Sequence, residues 1–240
     1  MPLTCVALDL ETTGLDAERD AIIEIGCVKL EDGRITDEWS TLVNPGRPIP
    51  LGITQLTSIT DAQVASAPPL ALVGPALLRF VGSLPIVGHN IGFDLGFLAQ
   101  FELFRANLAI DTFDLATVLL PRQARYNLAS LAAHFNITLT DAHRALDDAR
   151  ASLRLFLALV EYGSRLPAPL LAEIGRLTSH SAWALRPIFK EMTTQAAAAP
   201  SRTPPQVAPG RLRWTDGADG APLRPRRVPE ALDSEAVAAL

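Results

Sequence analysis

The sequence predicts an α/β fold in which a mixed five-stranded sheet is flanked by helices. Short apolar runs bounded by polar residues indicate buried strands, and the pair Asp32-Gly33 is a strong signal for a tight hairpin. The predicted strands are 4–10, 22–30, 35–43, 85–88 and 108–110. Three strands come first and two alternate with helices, an order that is typical of a mixed sheet covered by helices.

Apolar residues at helical spacing indicate the remaining elements of this domain. The predicted helices are 53–59, 69–81, 93–104, 112–120, 127–135 and 145–160. Together with the strands they make up a main domain of residues 1–163.

The character of the chain changes after residue 163. A helical extension is predicted for 164–193, and Pro187 is expected to kink or break its second helix, 181–192. The first helix of the extension, 166–178, is expected to share one apolar face among Leu170, Leu171, Ile174 and Leu177. The segment 194–240 is rich in Pro, Ala and Arg, a composition that predicts a disordered tail.

The net charge, the hydropathy and the cysteine content limit the functions that this sequence can have. The formal net charge is −5, so tight binding to nucleic acid would require bound cations, a local arginine cluster or a tethering partner. The sequence contains no candidate membrane span and no signal-peptide pattern, and we expect a cytoplasmic protein without a membrane partner. Cys5 and Cys27 lie in apolar runs and are expected to be buried.

Asp9 and Glu11 stand at the end of the first predicted strand. Because side chains alternate along a strand, both carboxylates point to the same face. Such a pair is costly without a cation, and its oxygen ligands favour Mg²⁺ or Mn²⁺, although a solvated acidic strand end has the same pattern. The Thr12-Thr13-Gly14 segment that follows is either a plain turn or a holder for a terminal sugar or phosphate.

A second cluster, 89–94, follows a buried strand and opens a helix. Asp94 lies in the first turn of that helix, where the helix dipole alone is enough to favour an acid. His89 fits equally well as a core histidine that is hydrogen-bonded to the backbone.

A third cluster, 143–148, opens the last helix of the main domain. Asp148 lies on an otherwise apolar helix face, where an unpaired acid is expensive. For His143 to converge with it, His143 must lie at or before the helix entry. Thr140 or Asp141 is expected to cap this helix, and Asp147 is expected to be exposed.

Together the three clusters resemble the DEDD exonuclease superfamily, His subclass, which includes proofreading subunits of bacterial DNA polymerases. The motifs are Asp-x-Glu-Thr-Thr-Gly-Leu from Asp9, Gly-His-Asn-x-x-Phe-Asp ending at Asp94, and His-x-Ala-x-x-Asp-Ala from His143. The resemblance covers about residues 4–162 and implies a ribonuclease H-like fold and 3′→5′ exonuclease activity. Ser58 stands where relatives often have Gly, which affects only the expected shape of the substrate loop.

The resemblance also implies roles for individual residues. Asp9, Glu11, Asp94 and Asp148 would hold two divalent cations, Mg²⁺ or Mn²⁺, and His143 would be the general base. The residues expected at the 3′ end of a single strand are Thr12, Thr13, Gly14, Leu15 and Asn90, with Leu15 and 53–56 stacking on the terminal base. Arg122, Arg125 and Arg144 either contact the strand or are ordinary surface residues, and Tyr126 is expected to pack on helix 127–135.

The sequence is compatible with several biological roles. The helical extension and tail would suit a proofreader that binds a DNA polymerase, but the segment 166–192 also weakly resembles the connection to a helicase in nuclease–helicase proteins. RNA 3′-trimming is a third alternative, with DNA favoured over RNA. A non-enzymatic polymerase-binding scaffold is disfavoured because the set of acids and the histidine is complete.

Overall fold

The computed structural model describes residues 4–140 and 143–198. The strands are β1 Cys5–Thr12, β2 Ile22–Glu31, β3 Arg34–Leu42, β4 Ile86–Gly88 and β5 Ala109–Asp111. They form one sheet in the order β3-β2-β1-β4-β5, in which β1 to β3 are antiparallel and β4 and β5 run parallel to β1. The predicted mixed five-stranded sheet is therefore confirmed, and β1 is its central strand.

The hairpin between β2 and β3 has the predicted two-residue turn. Glu31 pairs with Arg34, and Asp32 and Gly33 have φ angles of 52° and 78°. A positive φ at both central residues matches the right-handed twist of the strands, and Asp-Gly is among the pairs that adopt it readily.

The helix boundaries differ from the predicted ones by a few residues at several positions. The helices are α1 Leu51–Thr57, α2 Asp61–Val64, α3 Leu70–Val81, α4 Gly92–Ala99, α5 Thr112–Leu119, α6 Leu128–His134, α7 Ala145–Ser164, α8 Ala168–Leu177 and α9 Arg186–Ala198. The prediction of a helix to residue 104 was wrong, because the chain leaves the helical conformation after α4. Glu102 and Phe104 have φ angles of 58° and 60°. Within the described part of the chain, no helix has both the length and the apolar composition needed to cross a bilayer.

The side chains of β1 alternate between two cores. Odd-numbered residues from Cys5 pack with α7, whereas even-numbered residues from Val6 pack with α3 and α4. Asp9 and Glu11 are the next two positions on the α7 side. Cys5 and Cys27 are both buried and unbridged, as expected.

The start of α7 lies directly on the sheet at Gly26 of β2, the residue paired with Asp9. A Cβ at Gly26 would lie only 2.2 Å from the carbonyl carbon of Ala145, the first residue of α7. A glycine is therefore required for this close approach, which brings the first turn of α7 next to the acids of β1.

The helical extension packs against the main domain. Phe189 and Met192 of α9 are buried in the same core as α7. The predicted helix 181–192 is non-helical over 181–185, and α9 begins at Arg186, so the predicted break at Pro187 is confirmed. Pro187 lies in the first turn of α9, where a proline is tolerated.

Two other expectations for the extension need correction. Leu171 is buried and Ile174 packs against the same core, whereas Leu170 and Leu177 are exposed, so only part of the predicted apolar face of α8 contacts the core. Helix α9 continues to Ala198, past the predicted start of the tail at residue 194. The rest of the predicted tail, 199–240, lies outside the described residues.

Candidate active site

The site is built around the end of β1. Asp9 and Glu11 project from the same face, opposite Gly26 and Glu24 of β2. The β1–β2 register shifts immediately after Glu11, so the ladder is irregular at the end of the strand. Such irregularities re-aim side chains and are frequent next to functional sites.

Asp94 reaches the site from the first turn of α4. Its side chain is 4% exposed, and its Oδ1 accepts a hydrogen bond of 2.9 Å from the backbone N–H of Leu10. The pairing of β4 with β1 covers only Val6 and Ala7, so Asp94 binds the edge of β1 beyond that pairing. This contact holds the Asp94 carboxylate against the backbone of Leu10, the residue between Asp9 and Glu11 in β1.

His143 and Asp148 come from the entry of α7. The backbone N–H of His143 donates a 2.9 Å hydrogen bond to Oδ2 of Asp148, and His143 has a left-handed φ of 65°. One ligand atom each from Glu11, His143 and Asp148 lie within 4.8 Å of one another. Asp9 and Asp94 lie outside this group of three, but Asp9 is close enough to Asp94, Asp148 and Glu11 to interact with their charges.

Crowding changes the acidity of these carboxyl groups. Burial raises the pKa of Asp9 well above its usual range, and the carboxylates of Asp94, Asp148 and Glu11 raise it further. Burial, then Asp148 and Glu24, raise the pKa of Glu11 to about 7, while Arg144 lowers it.

The other two site acids are shifted in the same direction. Burial raises the pKa of Asp94 to about 8 although the Leu10 N–H opposes the shift. Burial also raises the pKa of Asp148, against the N–H of His143. Buried acids that also lie close to one another resist ionisation, and a cation bound among them would stabilise their charged forms.

The donor set fits divalent metal ions. Asp9, Glu11, Asp94 and Asp148 offer carboxylate oxygens, the ligands that Mg²⁺ and Mn²⁺ prefer. Burial and, after it, the neighbouring carboxylates raise the pKa of these acids, so a bound cation is favoured because its charge replaces the protons that the cluster otherwise retains.

Stability without metal is expected to fall as pH rises. In the window between the ordinary carboxyl pKa values and the raised values near 7 and 8, the folded state binds more protons than the unfolded chain. The stabilisation is complete below the ordinary values and is lost as pH passes the raised ones. In EDTA, we expect the Tm to drop by about 5 °C or more between pH 5 and pH 8, since a few kcal/mol is involved.

Thermal melts across pH with EDTA or Mn²⁺ test this expectation. Mn²⁺ should raise the Tm far more at pH 8 than at pH 5, because the metal competes with protons. Asp94→Asn, which removes one of the raised groups, should flatten the profile in EDTA. A profile that is equally steep in this variant would contradict the assignment.

The loop after β1 contains most of the expected substrate-contacting residues. The hydroxyl of Thr12 donates to the carbonyl of Gly14 at 2.6 Å, and the hydroxyl of Thr13 donates to Asp20 at 3.2 Å. A Cβ at Gly14 would lie 2.3 Å from Asp20, so this glycine permits close packing of the loop. The next residue, Leu15, has a side chain that is 85% exposed.

The loop between β4 and α4 contains His89 and Asn90. Asn90 is exposed and has a φ of 62°, and its N–H donates to Asp111 at 2.9 Å. Nδ1 of His89 is hydrogen-bonded to the hydroxyl of Thr112 at 2.9 Å, and burial lowers the pKa of its imidazole. His89 is thus a half-buried residue that ties this loop to the start of α5.

The entry of α7 differs from the prediction. Its N-cap residue is Arg144, and Thr140 instead donates to the side chain of Asp147, so the predicted cap at Thr140 was wrong. Asp141 lies outside the described residues. Asp147 is only 21% exposed and pairs with Arg150, so its predicted exposure was also wrong.

Three arginines and Tyr126 were expected to lie around the site. Arg122 and Arg125 are exposed. Arg144 is not an ordinary surface residue, because its guanidinium forms an ion pair of 2.6 Å with Glu24. Tyr126 packs on the core that contains α6, and its hydroxyl donates to the carbonyl of Leu120 at 2.6 Å.

The sequence prediction gave no site role to Glu24 or Asp111. Glu24 is 4% exposed beneath the entry of α7, and Asp111 caps α5 while holding the Asn90 backbone. The signal for Glu24 was an acid inside the otherwise apolar run 22–25, where an unpaired charge would be expensive.

The fold and site define a nuclease of the exonuclease class. A solved structure described as "Exonuclease X in complex with 5′ overhanging duplex DNA" matches with a TM-score of 0.57 and 27% identity, over 79% of this chain and 99% of the other. The family model RNase_T, described as "Exonuclease", matches residues 6–156. This chain belongs to that exonuclease family.

Relatives carry the same domain in different contexts. The chain is 42% identical over 154 residues to "DNA polymerase III PolC-type" of Clostridium perfringens, covering 62% of this chain and 11% of the relative. It is 34% identical to "3'-5' exonuclease DinG" of Bacillus subtilis over 73% of this chain and 19% of the relative. It is 37% identical to "DNA polymerase III subunit epsilon" of Aquifex aeolicus over 66% of this chain and 81% of the relative. The chain thus spans less than a fifth of the first two relatives.

Proposed function

We propose that this chain is a metal-dependent 3′→5′ exonuclease that releases nucleoside monophosphates from single-stranded DNA ends. The proposal is carried by the convergence of four carboxylates and His143 at the end of β1 in a member of the exonuclease family. The name of the DinG relative supports the 3′→5′ direction.

Asp9, Glu11, Asp94 and Asp148 are the proposed ligands of two divalent cations, Mg²⁺ or Mn²⁺. When bound, such cations lower the pKa of water and stabilise the charge that develops on the scissile phosphate and on the leaving 3′ oxygen. The protein's contribution is to hold the carboxylates in place: β1 fixes Asp9 and Glu11, the Leu10 N–H fixes Asp94, and α7 carries Asp148.

His143 is the proposed general base. Its side chain is exposed, so the imidazole faces solvent from which the attacking water comes. The hydrogen bond from its own backbone N–H to Asp148 sets the position of the residue beside the carboxylates. A neutral imidazole nitrogen can accept the proton that the water loses.

Single-strand preference follows from access to the site. A terminal base must leave its partner before its phosphate reaches the acids, and exposed apolar side chains then offer a surface for stacking. Leu15 and Leu56 are 85% and 50% exposed, which supports this role for them and for the 53–56 segment. Thr12, Thr13, Gly14 and Asn90 are proposed to contact the terminal nucleotide, with the Thr13–Asp20 bond shaping the loop.

A role in DNA replication or repair is proposed from the relatives. The PolC-type and epsilon relatives are named as DNA polymerase III proteins, and Exonuclease X was solved with DNA. We therefore propose that the chain acts in the cytoplasm with a DNA polymerase as its partner. The proposed contact with the polymerase is formed by α8, α9 and the residues beyond them.

The test uses the full chain with a 5′-labelled single-stranded DNA oligonucleotide, the same sequence in RNA, and a blunt DNA duplex. With Mg²⁺ we expect the DNA strand to shorten stepwise from its 3′ end, faster than the duplex, and EDTA should stop the reaction. Faster trimming of the RNA would reassign the substrate to RNA. No shortening of either strand with Mg²⁺ or Mn²⁺ would refute the proposed function.

A further inference from the structure

We propose that Glu24 is a positioning residue, whose buried carboxylate holds the entry of α7 on the sheet so that His143 and Asp148 reach Glu11. The proposal rests on the proposed exonuclease function and deepens it. In this assignment, Glu24 itself contacts neither the DNA substrate nor the metal ions.

The carboxylate of Glu24 accepts hydrogen bonds from two residues at the start of α7. Oε2 accepts hydrogen bonds of 3.1 Å from Nε of Arg144 and 3.1 Å from the backbone N–H of Ala145. Oε1 accepts a third bond of 2.6 Å from Nη2 of Arg144. Both oxygens are thus engaged by the helix entry, which distinguishes Glu24 from the four acids assigned to metal.

The position of Glu24 couples these contacts to the site. Glu24 is paired with Glu11 across the β1–β2 ladder, and Gly26 beside it admits the backbone of Ala145. His143 lies two residues before Ala145 and Asp148 three residues after it, and the two are joined by a 2.9 Å hydrogen bond. A shift of Ala145 away from β2 therefore moves the base and the metal ligand together.

The same helix offers a matched control. Nη2 of Arg150 forms a 2.6 Å bond with Glu38 of β3, and Nε of Arg150 a second of 2.9 Å. Glu38 is 5% exposed, much as Glu24 is 4% exposed. Both pairs join the α7 region to the sheet through two arginine–carboxylate bonds, and Glu24 additionally accepts the backbone N–H of Ala145. Glu38 is paired with Val28 rather than with a site acid.

The experiment compares Glu24→Gln with Glu38→Gln in the full chain. Glutamine keeps the shape of the side chain but turns an NH₂ group toward an N–H donor of arginine, so both variants should lose similar thermal stability. We expect Glu24→Gln to lower kcat on a single-stranded DNA oligonucleotide by about 10–100-fold, as for residues that orient metal ligands, with KM unchanged. Its half-saturating Mn²⁺ concentration should rise, whereas Glu38→Gln should keep the kcat and Mn²⁺ dependence of the wild type.

The outcomes separate the two proposals. A wild-type chain without activity refutes the exonuclease function. An active wild type, with equal kcat losses in Glu24→Gln and Glu38→Gln, refutes positioning and leaves Glu24 a structural residue. A rise in KM alone also refutes it, because Glu24 would then act on strand binding. If Glu24→Gln shows no cooperative melt, Arg144→Lys takes its place in the experiment. Lysine keeps the positive charge but cannot form the two-pronged contact with Glu24. The kcat and Mn²⁺ dependence of Arg144→Lys are then compared with those of Glu38→Gln in the same way.

Discussion

Replacement of Asp9 with Asn is expected to reduce exonuclease activity by about 10³-fold or more, because electrostatic stabilisation at the phosphate depends on the cations it holds. In the same variant, thermal stability in EDTA at pH 8 should rise. Burial and then the other site carboxylates disfavour an ionised Asp9, so an uncharged amide at this position removes that cost. Rates on a 5′-labelled single strand and thermal melts in EDTA measure the two effects.

Asp32→Asn is the matched control for this prediction. Asp32 lies exposed in the β2–β3 turn with a φ of 52°, a conformation that Asn adopts readily. The control should keep both the activity and the pH profile of the wild type. An Asp9→Asn protein that retained activity would show that the acids of β1 do not form the reaction centre.

Replacement of His143 with Asn is expected to lower kcat by roughly 10²–10⁴-fold, the usual contribution of a general base. Asn is preferred to Ala here because the backbone φ of 65° is left-handed, and Asn tolerates that conformation better than most residues. The variant therefore removes the imidazole while keeping the chain path that positions Asp148.

Metal binding distinguishes the two possible roles of the imidazole. Glu11, His143 and Asp148 offer ligand atoms within 4.8 Å of one another, so a direct metal contact is the competing role. As a base, His143 can be removed with little change in Mn²⁺ affinity, measured by the Mn²⁺-induced rise in Tm. A large loss of Mn²⁺ affinity in His143→Asn would instead identify the histidine as a ligand.

Much of the fold was visible in the sequence because it depends on short-range patterns. The Asp32-Gly33 turn is a local signal that correctly predicted the β2–β3 hairpin. The two-residue alternation of β1 is also local, and it placed Asp9 and Glu11 on one face. The end of α4 was not visible, since the apolar pattern continues past Ala99 without Gly or Pro while Glu102 and Phe104 turn left-handed. Pro187 correctly marked an interruption of the predicted helix 181–192, but the sequence did not show that residues 181–185 are non-helical and that α9 begins at Arg186.

The convergence of the site is a long-range property, and only the family resemblance predicted it. Asp94 binds the backbone of a residue 84 positions earlier, and no periodicity reports that distance. Glu24 was not recognised as a site residue, because its partner Arg144 is 120 positions away. A buried acid in an apolar strand signals that a partner exists without saying where it is.

The hydrogen bond from the Leu10 amide to Asp94 gives the site its own spectroscopic reporter. This proton lies on the central strand and points at one of the proposed ligands, so its chemical shift follows the charge on that carboxylate. Titration with Mg²⁺ in an NMR experiment would move this resonance before any substrate is added. Slow deuterium exchange at Leu10 would likewise measure how firmly α4 is held to the strand.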